Sequence, residues 1–158
     1  MYRYGLTRHV PNASLVALGG LALASLASPA VGHHSYAMFD MNKPLALDGR
    51  VAKVEWVNPH ISLWLYVPAV GQQGKYDLWR FQSDPPGRAA RNGWSKTVLK
   101  VGDRITMHYF PLNNGGNGGY LIRIVRPDGS ELIGDPDAPG VARELAKTNS
   151  LPTKDGTR

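Results

Sequence analysis

The chain has 158 residues, no cysteine and a formal net charge of +6. This length fits a single domain. Without cysteine there are no disulfides and no lipid anchor through a thiol, and a metal site must use imidazole, thioether, carboxylate or backbone groups. The basic residues are scattered rather than clustered, which argues against a nucleic-acid-binding protein.

The first 32 residues have the three parts of a secretory signal peptide. Residues 1–10 carry two arginines and no acid, residues 13–27 are uncharged and mostly apolar, and residues 28–32 are small. A membrane-spanning helix needs about 20 apolar residues, more than this run supplies. We therefore expect cleavage, no stable membrane anchor, and a periplasmic or secreted protein.

Two cleavage positions fit the small residues. Cutting after Gly32 makes His33 the N-terminus, whereas cutting after Ala30 leaves Val31 and Gly32 in front of His33. The chain from His33 has 126 residues (33–158), and its lysines and arginines fall from 18 to 16 against 12 acids, a net charge of +4. That length suffices for an independent core.

Alternation of apolar and polar side chains predicts five strands in the exported part. They cover Leu45–Trp56 with a bend at Gly49, His60–Val67, Lys75–Gln82, Arg104–Phe110 and Tyr120–Arg126. Between the third and fourth strands, Ser83-Asp84-Pro85-Pro86 indicates the cap and start of a short helix over Gly87–Asn92.

Five strands with one short helix between strands 3 and 4 is the element order of an OB-type barrel. We therefore predict an all-β fold, a small five-stranded OB-like barrel that forms a single domain over residues 33–133. Residues 134–158 are rich in proline, aspartate and lysine and poor in large apolar groups. This composition predicts a largely disordered tail, with a helical turn near Val141–Lys147.

Four histidines and three methionines remain after cleavage: His33, His34, His60, His108, Met38, Met41 and Met107. Imidazole and thioether are both copper ligands. With His33 at the N-terminus, its amine and ring can chelate one metal, and a second imidazole completes a three-nitrogen site. With Val31 at the N-terminus, the amine, two backbone amides and the His33 ring form a four-nitrogen square-planar site. Both arrangements favour copper over zinc.

These observations predict a metal site, with copper as the expected cofactor and His33, His34 and His60 as ligands. Asn58 or Glu55 would orient His60. The alternatives are ordinary: two polar histidines beside a signal site, a metal-binding peptide without a biological role, and a strand-end histidine bonded to the backbone. His108 ranks below His60, and methionines are more often core residues than ligands.

The mature chain is also rich in aromatic residues: Trp56, Trp64, Tyr66, Trp79, Trp94, Tyr109 and Tyr120. Most should fill the barrel. Some could form a stacking face, so the alternative function is a non-enzymatic OB-like module that binds an envelope protein or polymer. The sequence has no Ser-His-Asp order, no His-Glu-x-x-His and no phosphate-binding glycine loop. An enzyme is therefore the less favoured class, and a redox enzyme with an open copper position ranks last.

Three segments resemble a known family. They are His33-His-Ser-Tyr-Ala-Met-Phe-Asp40, then Val54-Glu-Trp-Val-Asn-Pro-His60, then Gly93-Trp94 ahead of Leu99-Lys-Val-Gly-Asp103. Together they resemble the small exported bacterial proteins of domain of unknown function 6152, over about residues 33–132. The resemblance implies a periplasmic or secreted location and a single small β domain. It implies no activity.

Overall fold

The computed structural model describes residues 36–149. A single 3-10 turn at Tyr36–Met38 comes first. The remaining elements are β1 Leu45–Glu55, β2 Ser62–Pro68, β3 Tyr76–Gln82, α1 Pro86–Arg91, β4 Arg104–Pro111, β5 Gly118–Val125, β6 Glu131–Ile133 and α2 Val141–Asn149. The five strands and the intervening helix predicted from the sequence are all present, with ends that differ by one or two residues.

The first five strands form a closed barrel. β1 pairs with β2 and β4, β2 pairs with β3, and β4 pairs with β5, all antiparallel. The barrel closes where β3 and β5 run parallel, through pairs such as Arg80–Gly118 and Gln82–Tyr120. The circular order 1-2-3-5-4 confirms the predicted all-β, OB-like barrel with one short helix between strands 3 and 4.

β1 is long because it belongs to both halves of the barrel. Its first half, Leu45–Arg50, pairs with β4, and its second half pairs with β2 as far as Glu55. The register against β2 shifts between Val51 and Lys53, which marks the bend. Gly49 precedes the bend, and a Cβ there would press on the Leu65 side chain. The missing side chain lets β1 cross close to β2.

The main core fills the barrel with the inward-facing residues of each strand. On β2, Leu63 and Leu65 are buried. Tyr66, the next residue after Leu65, points to the other face and is half exposed. The same alternation buries Phe81 on β3. Trp94, in the segment after α1, closes the core and donates from Nε1 to the Ile133 carbonyl at 2.6 Å.

β5 is buried on both faces. Leu121 and Ile124 enter the main core, whereas Tyr120 and Ile122 point into a second cluster. The other buried members of this outer cluster are Phe39, Phe110, Ala138 and Val141. The N-terminal turn and α2 therefore pack on the outside of the barrel over β4 and β5.

Residues after 125 add two elements that extend the barrel. β6 pairs with β5 through Arg123–Ile133 and Val125–Glu131, as a sixth strand that the sequence analysis did not predict. The chain stays packed beyond residue 133, where composition indicated the end of the domain, since Ala138 and Val141 are buried. The predicted disorder of residues 150–158 lies outside the described residues. No helix within residues 36–149 has the length and apolar character to cross a membrane.

Candidate functional site

A buried polar cluster lies at one end of the barrel, where β2 begins and β3 ends. It consists of Tyr36, Asp84, Arg88, Tyr120 and Asp135, and we call it the acidic cluster. Tyr36 Oη donates to Asp135 Oδ2 at 3.1 Å, and Arg88 Nη1 donates to the same oxygen at 3.3 Å. Tyr120 Oη is 3.5 Å from it. Both carboxylates are almost inaccessible, with exposures of 2% for Asp84 and 1% for Asp135.

The cluster joins four segments that are distant in the sequence. Tyr36 comes from the N-terminal turn, Asp84 from the β3–α1 junction, Tyr120 from β5 and Asp135 from the segment after β6. Arg88 on α1 also binds Asp137 Oδ2 at 2.7 Å, outside the buried part. The cluster therefore holds the start of the described chain and the segment after β6 on the same end of the barrel.

The two aspartates differ in their hydrogen-bond partners. Asp135 receives the tyrosine and arginine donors and, at Oδ1, the Asp137 amide at 2.9 Å. Asp84 Oδ1 is 3.8 Å from Arg88 Nη1, and its Oδ2 has no hydrogen-bond partner within residues 36–149. Burial and the neighbouring Asp135 raise the pKa of Asp84 to about 7. Asp84 therefore retains a proton near neutrality, which makes it a donor towards Asp135.

Burial is the main cause of the pKa shifts of the two tyrosines, and a neighbouring charge is the main cause for Arg88. Burial raises the pKa of both Tyr36 and Tyr120, so both phenols stay neutral donors. Asp135 raises the pKa of Arg88, whose guanidinium stays charged. The cluster therefore combines two buried carboxyl groups and two neutral phenols with one charged guanidinium.

The sequence analysis missed this cluster and gave Asp84 a different role. Asp84 was expected to belong to the helix cap, but Pro85 is the N-cap residue of α1 and no side-chain cap bond forms. Asp84 points into the barrel end instead. Its partner Asp135 is 51 positions away in the sequence (84 to 135), and no local pattern links the two.

His33 and His34, two of the three predicted metal ligands, lie outside the described residues. Tyr36, the first described residue, donates a hydrogen bond to Asp135.

His60, the third predicted ligand, is half buried at the entrance to β2. The next residue, Ile61, donates its amide to the Asp84 carbonyl at 3.0 Å, and its carbonyl accepts from the Ser83 amide. His60 therefore lies at the same end of the barrel as the acidic cluster. The preceding Asn58-Pro59 peptide bond is cis.

The remaining predicted metal-site residues are spread over the domain. His108 lies on the outer face of β4 opposite Arg123, and burial together with that guanidinium lowers its pKa. Met107 is fully buried in the main core, and Glu55 forms an ion pair with Lys53. Within residues 36–149, no group of three or more histidine and acidic side chains is arranged to hold a metal ion.

The aromatic residues divide between core and surface. Trp94, Tyr109 and Tyr120 are buried, as most were expected to be. Trp64 lies on the outer face of β2, with the Lys53 ammonium 5.0 Å and the Arg80 guanidinium 5.3 Å from its ring centre. The most exposed aromatic residues on the sheet are Tyr66 at 50% and Tyr76 at 56%, on adjoining ends of β2 and β3.

Comparison with known proteins places the chain in one family. A family model described as a family of unknown function, domain of unknown function 6152, matches residues 21–121, which is 101 of the 158 residues. No curated protein matches, and no solved structure matches. Because the match covers more than half of the chain, the protein belongs to the domain of unknown function 6152 family.

Proposed function

We propose that the protein is exported to the periplasm or medium and binds copper as a carrier or buffer, through His33, His34 and His60. The observation that carries this proposal is the hydrogen bond from Tyr36 to Asp135. It fixes the chain two residues after His34 at the barrel end where His60 enters β2. The signal peptide, the location and the metal are parts of the same proposal.

Two arguments support a site at this end. The first is that Asp84 connects the surroundings of His60 and Tyr36: its backbone pairs with Ile61, next to His60, and its side chain belongs to the cluster that holds Tyr36. The N-terminal amine released by cleavage adds a nitrogen ligand beside His33. Amine and imidazole nitrogens together suit Cu(II) better than a hard, oxygen-preferring cation.

The test begins with the intact mass of the exported protein, which identifies the bond that is cut. The mature protein is then titrated with Cu(II) and Zn(II) by calorimetry. We expect a tight 1:1 copper complex that is lost in the double variant H33A/H34A and weakened at least about tenfold by His60→Ala, because a nitrogen ligand is removed. His108→Ala is the matched control and should bind like the parent.

Tyr36→Ala separates a folded site from a local peptide chelate. This variant keeps every proposed ligand but removes the hydrogen bond from Tyr36 to Asp135, the described contact that lies nearest to those ligands in the sequence. In a folded site it should weaken copper binding. If His60→Ala and Tyr36→Ala both bind copper as tightly as the parent, the ligands are the N-terminal residues alone and the three-histidine site is wrong. Equal binding by H33A/H34A would refute metal binding there altogether.

A second candidate is binding to an envelope polymer or protein through exposed aromatic residues. Tyr66 on β2 is directly opposite Leu78 on β3, and the neighbouring pair is Pro68 and Tyr76. The side chains of Tyr66, Leu78 and Tyr76 are large and about half exposed. Such adjoining side chains form a small contact face. Co-sedimentation with isolated peptidoglycan should then depend on Tyr66 and Tyr76, and equal sedimentation of a Y66S/Y76S variant would exclude this candidate for that polymer.

A further inference from the structure

A pocket of about 360 Å³ opens at the other end of the barrel, at the bend of β1. We call it the arginine pocket. Its polar and aromatic lining comes from Asp48, Arg50, Tyr66, Tyr76, Arg104 and Arg126. The volume is at the small end of the range for small-molecule sites, about 300–1,000 Å³. Three arginines against one aspartate give the lining a net charge of +2.

The strand register places two of these arginines in direct opposition. Arg50 on β1 faces Arg104 on β4 in the antiparallel ladder, and Arg50 faces Tyr66 on β2 on its other side. Like charges directly opposite each other destabilise a sheet. The fold therefore retains a repulsive pair in the lining of the pocket.

Within residues 36–149, no carboxylate oxygen forms an ion pair within 4 Å of the guanidinium groups of these three arginines. Arg50 donates to the Gly102 carbonyl at 3.4 Å, and Arg126 donates to Ser130 Oγ and the Val98 carbonyl, both at 3.1 Å. These acceptors are uncharged and hold the guanidinium groups in place. By contrast, Arg88, Arg123 and Arg143 elsewhere in the domain each lie within 4 Å of an acid.

The acid of the pocket does not pair with the arginines. Asp48 Oδ1 instead accepts a hydrogen bond from Thr106 Oγ1 at 2.6 Å, across the same ladder. Arg104 is exposed, and although its backbone pairs with β1, its guanidinium makes no hydrogen bond or ion pair with any other described residue. At least one guanidinium in the pocket therefore has its donors free for a ligand.

Two tyrosine side chains also line the pocket. Tyr66 adjoins Arg50 through the β1–β2 ladder, and Tyr76 faces Pro68 at the end of the β2–β3 ladder. Both rings are at least half exposed. A flat ligand can stack or pack against such rings while an anionic group on it reaches the guanidinium groups.

We propose that the arginine pocket binds a small organic anion, a carboxylate or phosphate carried on a flat ring. The guanidinium groups of Arg50 and Arg104 bind the anionic oxygens, and Tyr66 and Tyr76 contact the ring. This site lies at the opposite end of the strands from His60 and does not depend on metal binding. It shares two tyrosines with the peptidoglycan candidate, but titration with small molecules tests only the pocket.

The probes are phenyl phosphate and benzoate, titrated into the full mature protein and followed by amide chemical shifts. Inorganic phosphate lacks the ring and phenol lacks the charge, so they test the two halves of the proposal. We expect 1:1 binding of phenyl phosphate or benzoate, with shifts at Arg50, Arg104 and Tyr66. Inorganic phosphate and phenol should both bind at least about fivefold more weakly than the better of these two probes. Whether phenyl phosphate or benzoate binds more tightly shows whether the pocket prefers a phosphate or a carboxylate.

Three variants make the test specific. Arg104→Ala should weaken the better probe about tenfold, the value of one charge-assisted hydrogen bond. Asp48→Asn should tighten it about twofold, because it removes the one negative charge while keeping the acceptor for Thr106. Arg91→Ala is the matched control, since Arg91 is an exposed arginine on α1, and it should leave binding unchanged.

Four results would overturn the proposal. They are no saturable binding of either ring-bearing anion, equal weakening by Arg104→Ala and Arg91→Ala, tighter binding of inorganic phosphate than of phenyl phosphate, and shifts centred on α1 or β6 instead of the pocket. Amide spectra of each variant, recorded without probe, show whether the fold is intact. Arg104→Lys, which keeps the charge but not the forked donors, should bind between the parent and Arg104→Ala.

Discussion

Asp84 is the residue whose ionisation acts most directly on the stability of this domain. Its carboxyl is buried beside Asp135, and these two factors raise its pKa from 3.8 to about 7. The unfolded chain loses this proton near pH 4, whereas the folded chain keeps it to near neutrality. The stability that Asp84 contributes is therefore complete below about pH 4 and is lost as the pH rises towards 7.

Asp84→Asn should remove this pH dependence. The amide is neutral at every pH and still donates towards Asp135, so it imitates the protonated acid. We expect similar stability for variant and parent at pH 4, and a variant more stable by at least about 1 kcal/mol at pH 8. Urea unfolding at several pH values measures the difference. Asp77→Asn, at an exposed position on β3, is the control, and parallel pH profiles for Asp84→Asn and the parent would contradict the assignment.

Single residues also show why the acidic cluster could not be predicted. A buried aspartate and an exposed capping aspartate look alike in a sequence, and Ser83-Asp84-Pro85-Pro86 has the composition of a helix start. Which of the two roles applies depends on Tyr36, Tyr120 and Asp135. Only the tertiary structure brings these residues near Asp84, because they come from segments that are distant in the sequence.

The strands themselves were predictable because each has a local signal. Ile61, Leu63 and Leu65 alternate with more polar or exposed positions, and this period of two specifies a strand with one buried face. β6 has only three residues and is too short for such a signal. α2 has a weak local signal in the sequence, because Val141 and Leu145 are spaced i, i+4 and both belong to the outer cluster or pack against it.

Barrel closure through β3 and β5 depends on glycine. A Cβ on Gly118 would overlap the Arg80 carbonyl oxygen on β3, which is backbone and cannot move aside cheaply. We expect Gly118→Ala to lower the free energy of unfolding by about 3 kcal/mol, since the paired strands must separate. Chemical denaturation with tryptophan fluorescence measures the loss.

The matched control is Gly87→Ala on α1. A Cβ at Gly87 meets no atom within 4 Å, and alanine favours a helix over glycine. The expected change is a gain of up to about 1 kcal/mol. If both alanine variants have the same free energy of unfolding as the parent, the close approach of β5 to β3 does not restrict which residue can occupy position 118.

At the scale of the whole molecule, two apolar clusters share β5 as a common wall. The main core lies inside the barrel, and the outer cluster holds the N-terminal turn and α2 against β4 and β5. The same end of the domain carries the acidic cluster. Residues 134–149 thus contribute to the fold, although their composition resembles that of a polar tail.

Val141→Ala tests the contribution of α2. Val141 is fully buried in the outer cluster, and losing two methyl groups there should cost about 2 kcal/mol. Ala142→Ser, at the next and exposed position, should change the stability by less than about 0.5 kcal/mol. Both are measured by urea unfolding. An unchanged midpoint for Val141→Ala would mean that α2 is not part of the cooperative unit.

The sequence alone determined the β class, the positions of five strands and the short helix, and the family, because alternation, turn residues and short motifs are local properties. The tertiary structure alone decided that Asp84 meets Asp135, that Arg50 opposes Arg104, and that α2 covers β5. Each of these contacts joins residues at least 19 positions apart (122 to 141 is the shortest), and only the register of the closed barrel brings them together.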